Sequence, residues 1–376
     1  MPGNPNENLI GDITKKPEKK PGAGLEISSS PELINVINSL GVVKDAIDHN
    51  QFVKFSQLQQ ILEIAKKLTF NVGGEEMTIE EMEKIPDLEK NMKIWEEIRQ
   101  GDFENTSELT HITPEIAERL SHDQGDLYLS RLLSLSDEVA KHLSHHKGTL
   151  FLHSLASLSD EAAKHLSRHK GQLYLNGLTS LSDEAAEHLS HHQGVLSLRK
   201  LASLSDKATK YLSHQKGGLV LGGIVSLSDQ AAEYLSHHQG DLVMSRLVFL
   251  SDKAAEHLSC HQGRLYLDGF TSLPDKVAEH LSHHQYVLKF NGLFSLSDKA
   301  AEHLAHHQEG LLFDGLTSLS DKAAEYLSFH KGTLSFKGLS SLSDKAAQYL
   351  AKKEGLVIVP ENIKRQINKF KNNMLE

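Results

Sequence analysis

Cysteine and long apolar runs are both scarce in this chain of 376 residues. The one cysteine, Cys260, excludes a disulfide within the chain and fits a reducing compartment. No apolar run approaches the length of about 18 residues at which a membrane-spanning helix becomes a candidate. The N-terminus also lacks the charged-then-apolar order of a signal peptide. We therefore expect a soluble, cytoplasmic protein.

A basic surface is missing as well. The formal net charge is −10 with histidine neutral, and the isoelectric point is about 6.2. Proteins that bind nucleic acids or anionic membranes generally present a basic face. We expect neither kind of partner.

Recognisable catalytic motifs are absent. The sequence contains no P-loop, no G-x-G-x-x-G, no G-x-S-x-G and no H-E-x-x-H. Ser, Asp and His do recur, but each has a local task in a repeated unit, as a helix cap, a first-turn charge or a helix-end ring. We expect no enzymatic activity and no cofactor.

What the chain has in abundance is repetition, because residues 126–355 consist of ten units of 23 residues without insertion or deletion. The unit is seen best between Leu173 and Gly194, as LYLNGLTSLSDEAAEHLSHHQG. An aspartate marks each unit, at Asp137, Asp160, Asp183, Asp206, Asp229, Asp252, Asp275, Asp298, Asp321 and Asp344. A fixed period in this range is typical of a solenoid, in which each unit contacts mainly its neighbours. A solenoid offers long surfaces, which favours a binding scaffold over an enzyme.

Each unit contains signals for one short strand and one helix. Leu-x-Leu alternates with a period of two and predicts a strand, and the Asn-Gly or Asp-Gly that often follows predicts a bend. Ser182 has the position and chemistry of a helix N-cap, and Asp183 places negative charge in the first turn. Ala185, Ala186 and Leu189 share one helix face. We expect Gly194 to end the unit in a backbone conformation with positive φ.

The phrase Leu-x-Leu-x-x-Leu-x-x-Leu-Ser-Asp-x-x-Ala-x-x-Leu resembles the leucine-rich repeat, and is most similar to the cysteine-containing subclass. Leu135, Ser136 and Asp137 stand where that subclass has Ile-Thr-Asp, and Leu132 stands where it has cysteine. The unit also resembles short bacterial repeat arrays. The resemblance implies an α/β solenoid with one short parallel strand and one helix per repeat, and, by analogy of fold, binding of a protein or peptide.

The segments outside the repeats suggest four further regions. Residues 1–29, rich in Pro, Lys, Gly and Asn, predict a disordered tail. Residues 30–102 predict an N-terminal helical region or cap, in which Thr78 and Glu81 form a capping-box pattern. Residues 103–125 resemble a degenerate repeat, and residues 356–376 predict a strand and a helix that cap the last unit.

The residue between the two strand leucines should point away from the core. Seven of these ten residues are apolar or aromatic, which is unusual for an exposed surface and favours contact with a partner. The predicted binding residues are Tyr128, Phe151, Tyr174, Val220, Val243, Tyr266 and Leu312. High strand propensity of the same residue types is the alternative explanation. The favoured function is a non-catalytic scaffold for a protein or peptide, and self-assembly through the same face is an alternative.

Histidines supply a further alternative. Most of the 24 histidines fall in the phrase His-x-x-His-His at helix ends, as at His188, His191 and His192. We expect the first to pack between helices, the second to be exposed, and the third to hydrogen-bond carbonyls at the helix end. Imidazole also binds zinc or nickel, so metal binding or buffering by the helix surface is a third hypothesis, although no closed four-ligand spacing supports a dedicated metal site.

Protonation gives the histidines a predicted effect whatever their role. If all 24 became charged, the net charge would change from −10 to +14. We therefore expect the repeats to lose stability, or to change their association, between about pH 7.5 and 5.5.

Overall fold

The computed structural model describes residue 66 and residues 68–72 and 75–372. The chain divides into two compact units, Met1–Gln100 and Gly101–Glu376, and each is described by itself. The predicted tail at residues 1–29 lies outside the described residues.

The N-terminal unit contains a hairpin that the sequence did not predict. Thr69–Val72 pairs with Glu75–Thr78 in antiparallel fashion, where a helical region was expected. The sequence signal is the Gly73-Gly74 pair between two stretches containing β-branched and aromatic residues. Two helices follow, Ile79–Glu83 and Leu88–Arg99. The predicted capping box is confirmed, since the side chains of Thr78 and Glu81 each accept from the backbone of the other.

The repeats form one sheet of eleven parallel strands in chain order. The strands are Leu127–Tyr128, Leu150–Phe151, Leu173–Tyr174, Leu196–Ser197, Leu219–Val220, Leu242–Val243, Leu265–Tyr266, Leu288–Lys289, Leu311–Leu312, Leu334–Ser335 and Val357–Ile358. Each strand pairs with the next at a spacing of one repeat, as Leu127 with Leu150 and Tyr128 with Phe151. This arrangement confirms the predicted α/β solenoid.

A helix returns from each strand to the next. The helices are Asp137–Leu143, Asp160–Leu166, Asp183–Leu189, Asp206–Leu212, Asp229–Ser236, Asp252–Ser259, Asp275–Leu281, Asp298–Leu304, Asp321–Ser328 and Asp344–Lys352. The serine before the aspartate is the N-cap in every helix except one, where Pro274 takes its place and makes no side-chain cap bond. Ser182, for example, accepts from the amide of Ala185 at 2.9 Å.

The cap serines also join neighbouring repeats. From Ser159 onward, each donates its hydroxyl to the aspartate of the preceding repeat, as Ser182 does to Asp160 at 2.5 Å. Ser136 makes no such bond, because Pro114 stands at the corresponding place before it. Because Pro274 has no hydroxyl, Asp252 lacks this donor and lies instead 3.4 Å from the ammonium of Lys276.

The core consists of apolar columns that run along the solenoid. The two strand leucines, the leucine of the following turn and the helix leucine are fully buried, as at Leu173, Leu175, Leu178 and Leu189. The fifth leucine of the unit, Leu181, is only half-buried and lies at the rim of the core. Towards the C-terminus, the second column changes to stacked rings, with Phe313 between Phe290 and Phe336 at centroid distances of 6.0 and 5.7 Å.

Glycine ends eight of the ten units, and it is favoured there for a reason other than the one expected. Positive φ occurs at Gly355, but the other repeat-end glycines do not adopt it. A Cβ at Gly194 would lie 2.2 Å from the carbonyl oxygen of Gly171, and one at Gly148 would lie 1.9 Å from that of Gly125. Neighbouring coils therefore approach closely at this point, and only Tyr286 and Glu309 place a side chain there.

Both ends of the array carry further elements. Residues 103–125, all of them described, contain a short 3-10 helix at Thr106–Glu108 and a helix at Pro114–Ser121, but no strand. At the other end, Val357–Ile358 adds the last strand and Glu361–Asn372 the last helix, which buries Ile363 and Ile367. Gln366 replaces the missing next serine, since its amide donates to Asp344 at 2.9 Å.

Candidate binding face

The parallel register places the seven predicted binding residues in one row across the sheet, together with Ser197, Lys289 and Ser335. We call this row the strand face. Its residues differ in exposure. Tyr128 is exposed, and Phe151, Tyr174, Val243, Tyr266 and Leu312 are half-buried.

Val220 does not have the exposure that the sequence predicted. It is only 8% exposed, and its neighbour Ser197 is fully buried. Both side chains are short, and the stem of Arg199 lies against Gly222, two residues beyond Val220 on the same face. Ser197 also donates its hydroxyl to Asn176 at 2.7 Å. The middle of the strand face is therefore closed, and two accessible groups remain on either side of it.

The first group is an aromatic stack near the start of the array. The ring of Phe151 lies between those of Tyr128 and Tyr174, at centroid distances of 4.5 and 4.8 Å and interplanar angles of 2° and 16°. His153 meets Phe151 and Tyr174 edge-on at 5.6 and 6.1 Å. The hydroxyl of Tyr174 donates to Gln172 at 2.8 Å. Because the rings hold one another, this surface is preorganised, and a partner would lose little side-chain entropy in covering it.

The second group surrounds Tyr266 and Leu312. The ammonium of Lys289 lies 5.3 Å from the ring centroid of Tyr266 and 3.2 Å from the carboxylate of Asp268. An open depression lies beside these residues, because Gly310 has no side chain to fill it. Its lining consists of Arg264, Tyr266, Val287, Glu309, Gly310, Leu312, Lys331, Gly332, Thr333, Gly355 and Leu356. Apolar residues thus alternate with two cations and one carboxylate, a mixture that suits a peptide more than an apolar small molecule.

Polar side chains at the end of the strands have a structural task that the sequence did not reveal. Asp268 accepts from the backbone amide of Asn291 at 2.9 Å, and Asn291 accepts from that of Asp314 at 3.1 Å. Partial burial would raise the pKa of Asp314, but hydrogen bonds from Ser335 and Lys337 outweigh it and hold that pKa below its usual range. The sequence predicted bends at these residues. Their side chains add one more row of hydrogen bonds between neighbouring repeats, beyond the end of the strands.

The three histidine positions of the repeat differ in exposure, and the second is exposed as predicted. The first is half-buried, the second is exposed, and the third is buried. The buried row consists of His146, His169, His192, Gln215, His238, His261, His284, His307, His330 and Lys353. Consecutive histidines of the row stack almost in parallel, with centroid distances between 5.9 and 6.4 Å.

The buried row faces carbonyl groups of the preceding repeat. Gln215 donates to the carbonyl of Gly194 at 2.6 Å, and Lys353 donates to that of Gly332 at 2.8 Å. Nε2 of His284 lies 3.0 Å from the carbonyl of Gly263, which can only accept, so this nitrogen carries the proton. These three residues thus supply a donor near the close approach of neighbouring coils. Both ring nitrogens of the other seven histidines in the row are buried without a hydrogen-bond partner among the described residues, at His146, His169, His192, His238, His261, His307 and His330.

Burial lowers the pKa of seven of these rings. The pKa falls to about 4 at His169 and His307, where neighbouring histidines contribute further, and at His330, where Lys353 does. Burial, and then the neighbouring histidines, lower the pKa of His261 to about 3. In the part of the chain that the structure describes, no three His, Cys, Asp or Glu side chains are grouped so that they could hold a metal ion.

Comparison with known proteins gives structural similarity alone. No family model matches the sequence, and no curated protein matches it. Solved structures do match. A Toll chain from the Drosophila Toll–Spatzle complex is 15% identical over 66% of this chain and 38% of its own, with a TM-score of 0.43. An internalin from Listeria monocytogenes is 12% identical over 77% and 95%, with a TM-score of 0.41. A leucine-rich-repeat protein from Leptospira interrogans is 17% identical over 70% and 92%, with a TM-score of 0.36.

The fold is a leucine-rich-repeat-like α/β solenoid. This statement depends on the chain's own units of strand, turn and helix, repeated in register through eleven parallel strands. The chain spans well under half the length of the Toll chain that it matches, at 38%. Among the described residues, no helix combines the length and the apolar character needed to cross a membrane.

Proposed function

We propose that this repeat scaffold is non-catalytic and binds an extended segment of a protein or peptide along the strand face. The observation that carries the proposal is the stack of Tyr128, Phe151 and Tyr174, whose rings lie 4.5 and 4.8 Å apart on the outside of the sheet. Stacked rings that present their edges and hydroxyl groups to solvent can bury much area at little entropic cost.

The second accessible group supports the same proposal. Tyr266 and Leu312 line the depression at Gly310, and Arg264 and Lys331 stand at its border. The closed stretch at Ser197 and Val220 separates this depression from the aromatic stack. We therefore propose two contact regions on one partner, with Val220 outside both of them. A cytoplasmic location is part of the proposal, because the exposed thiol of Cys260 fits a reducing compartment.

The test is a capture experiment from a lysate of the source organism. The intact chain is compared with a variant that carries Tyr128→Ser, Tyr174→Ser and Tyr266→Ser. The proposal expects a protein that the intact chain retains and the variant loses.

Three tyrosines on the helices provide a matched control. Tyr211, Tyr234 and Tyr326 are half-buried at the first histidine position and lie away from the strand face. A variant with all three changed to serine should still retain the partner, provided that its melting temperature shows it to be folded. A partner that both triple variants retain equally would refute the strand face as the binding site.

A further inference from the structure

A second exposed apolar surface lies at the edge of the solenoid, between the strands and the helices. It consists of Val225, Val248, Phe249 and Phe294, which we call the edge ridge. These side chains are 42, 59, 58 and 66% exposed, respectively. Val225, Val248 and Phe249 lie in adjacent repeats, and the exposed Thr271 separates them from Phe294. Large apolar side chains grouped with this exposure are uncommon on a surface without a partner.

The edge ridge departs from the repeat in a way that the fold does not require. Phe249 occupies a position that is serine in every other unit, at Ser134, Ser157, Ser180, Ser203, Ser226, Ser272, Ser295, Ser318 and Ser341. Phe294 stands where neighbouring units have Thr271 and Thr317. Serine and threonine fit these positions without exposing an aromatic ring, so packing within the solenoid does not explain the phenylalanines.

The backbone beneath the edge ridge is well ordered. The amide of Val248 donates to the carbonyl of Val225 at 3.1 Å, and that of Phe294 donates to the carbonyl of Thr271 at 3.1 Å. Ser226 and Phe249 form an isolated parallel bridge. The exposed side chains therefore project from a fixed row.

Opposite charges flank the apolar side chains within a single repeat. Arg246 precedes Val248 on the strand side, and Asp252 follows Phe249 on the helix side. Both are exposed. Asp252 is the cap aspartate that Pro274 leaves without a serine donor, and its contact with Lys276 is an exposed pair at 3.4 Å, which stabilises little. Its carboxylate therefore remains available to a partner.

We propose that the edge ridge binds a second copy of this chain. A two-fold axis parallel to the solenoid would bring the two ridges together in register. It would also place Arg246 of each copy opposite Asp252 of the other, which is the reciprocal pairing that an isologous interface requires. The charge complementarity within one repeat is the reason for choosing a second copy as the occupant.

The test is the mass of the full chain by sedimentation equilibrium, from micromolar to near-millimolar concentration. The intact chain should show about twice its monomer mass at the upper end. Phe249→Ser should leave a monomer throughout. Arg246→Asp and Asp252→Arg should each weaken the dimer by about tenfold or more, because like charges then meet at the interface.

The double variant Arg246→Asp/Asp252→Arg restores both pairs and should recover the dimer. Phe329→Ser removes a ring at a helix end that is 73% exposed, more than Phe249, and should leave the dimer intact. The strand-face triple variant should also remain dimeric, which separates this proposal from the proposed function. A chain that is monomeric at every concentration, a dimer that survives Phe249→Ser, or charge reversals that fail to compensate one another would each overturn the proposal.

Discussion

The hydroxyl of Ser159 donates to the carboxylate of Asp137 at 2.5 Å while it accepts from the amide of Ala162 at 3.0 Å. One side chain thus caps its own helix and binds the first turn of the preceding helix. This dual role explains why serine and aspartate recur together at a spacing of 23 residues. The aspartate is a link between repeats as well as a favourable charge at a helix N-terminus.

Loss of a cap serine should therefore cost more than loss of a surface hydroxyl. We expect Ser182→Ala to lower the free energy of unfolding by about 1–2 kcal/mol, because it removes an N-cap bond and a bond to Asp160. The change in the midpoint of urea unfolding measures this effect. Ser180→Ala, at an exposed position of the same repeat, is the control and should change the midpoint little. Equal shifts in the two variants would contradict the linking role.

The period of the sequence was enough to predict the solenoid, the strands and the cap serines. It did not reveal the bond between Ser159 and Asp137, because that bond joins two coils whose stacking distance is a property of the folded array. The same holds for Gly194, which was expected to adopt positive φ but is required by the nearness of Gly171. Local propensity predicts the conformation of a residue within its own coil. Contacts between coils can be predicted only when the packing of the coils is known.

The strand face shows the same division. Alternation along the strand predicted which side Tyr128 and Val220 face, and the register places both in one row. The depth of Val220 depends on how far neighbouring side chains rise above it, and the alternation carries no information about that. The hairpin at Thr69–Val72 was missed for another reason, because apolar helical spacing on either side of it outweighed two adjacent glycines.

The close approach of neighbouring coils gives a second prediction. Gly194→Ala would place a Cβ 2.2 Å from the carbonyl oxygen of Gly171, so the backbone at this point must shift. We expect a loss of about 3 kcal/mol or more, at the upper end of what overpacking costs. Gly218→Ala is a matched control, because its Cβ would meet nothing nearer than Val195 at 3.5 Å. Thermal unfolding of both variants checks the prediction, and similar melting temperatures would contradict it.

The phenylalanine column gives a third prediction. Phe313 is fully buried and stacks on Phe290 and Phe336. Phe313→Ala should cost about 3–5 kcal/mol through lost burial and the cavity that remains. Phe329→Ala is the control, since that ring is 73% exposed. Chemical unfolding of the two variants should therefore differ clearly, and a loss at Phe313 no larger than at Phe329 would exclude a continuous core at this column.

The buried histidines give a fourth prediction. It places the loss of stability at lower pH than the range of about 7.5 to 5.5 that the sequence suggested. Their pKa is near 6.5 in the unfolded chain and about 4 in the folded one for His169, His307 and His330. Above pH 6.5 both states are neutral at these rings, so stability should be constant there. Between about pH 6.5 and 4 the unfolded chain binds more protons, and each ring should reduce stability by up to about 1.4 kcal/mol per pH unit.

Urea unfolding from about pH 7.5 to 4.5 measures the slope of stability against pH. Changing these three histidines to glutamine, the residue at Gln215 of the same row, should reduce the slope, whereas the same change at the exposed His191, His237 and His283 should not. A slope that the buried triple variant leaves unchanged would show that the acid sensitivity arises elsewhere.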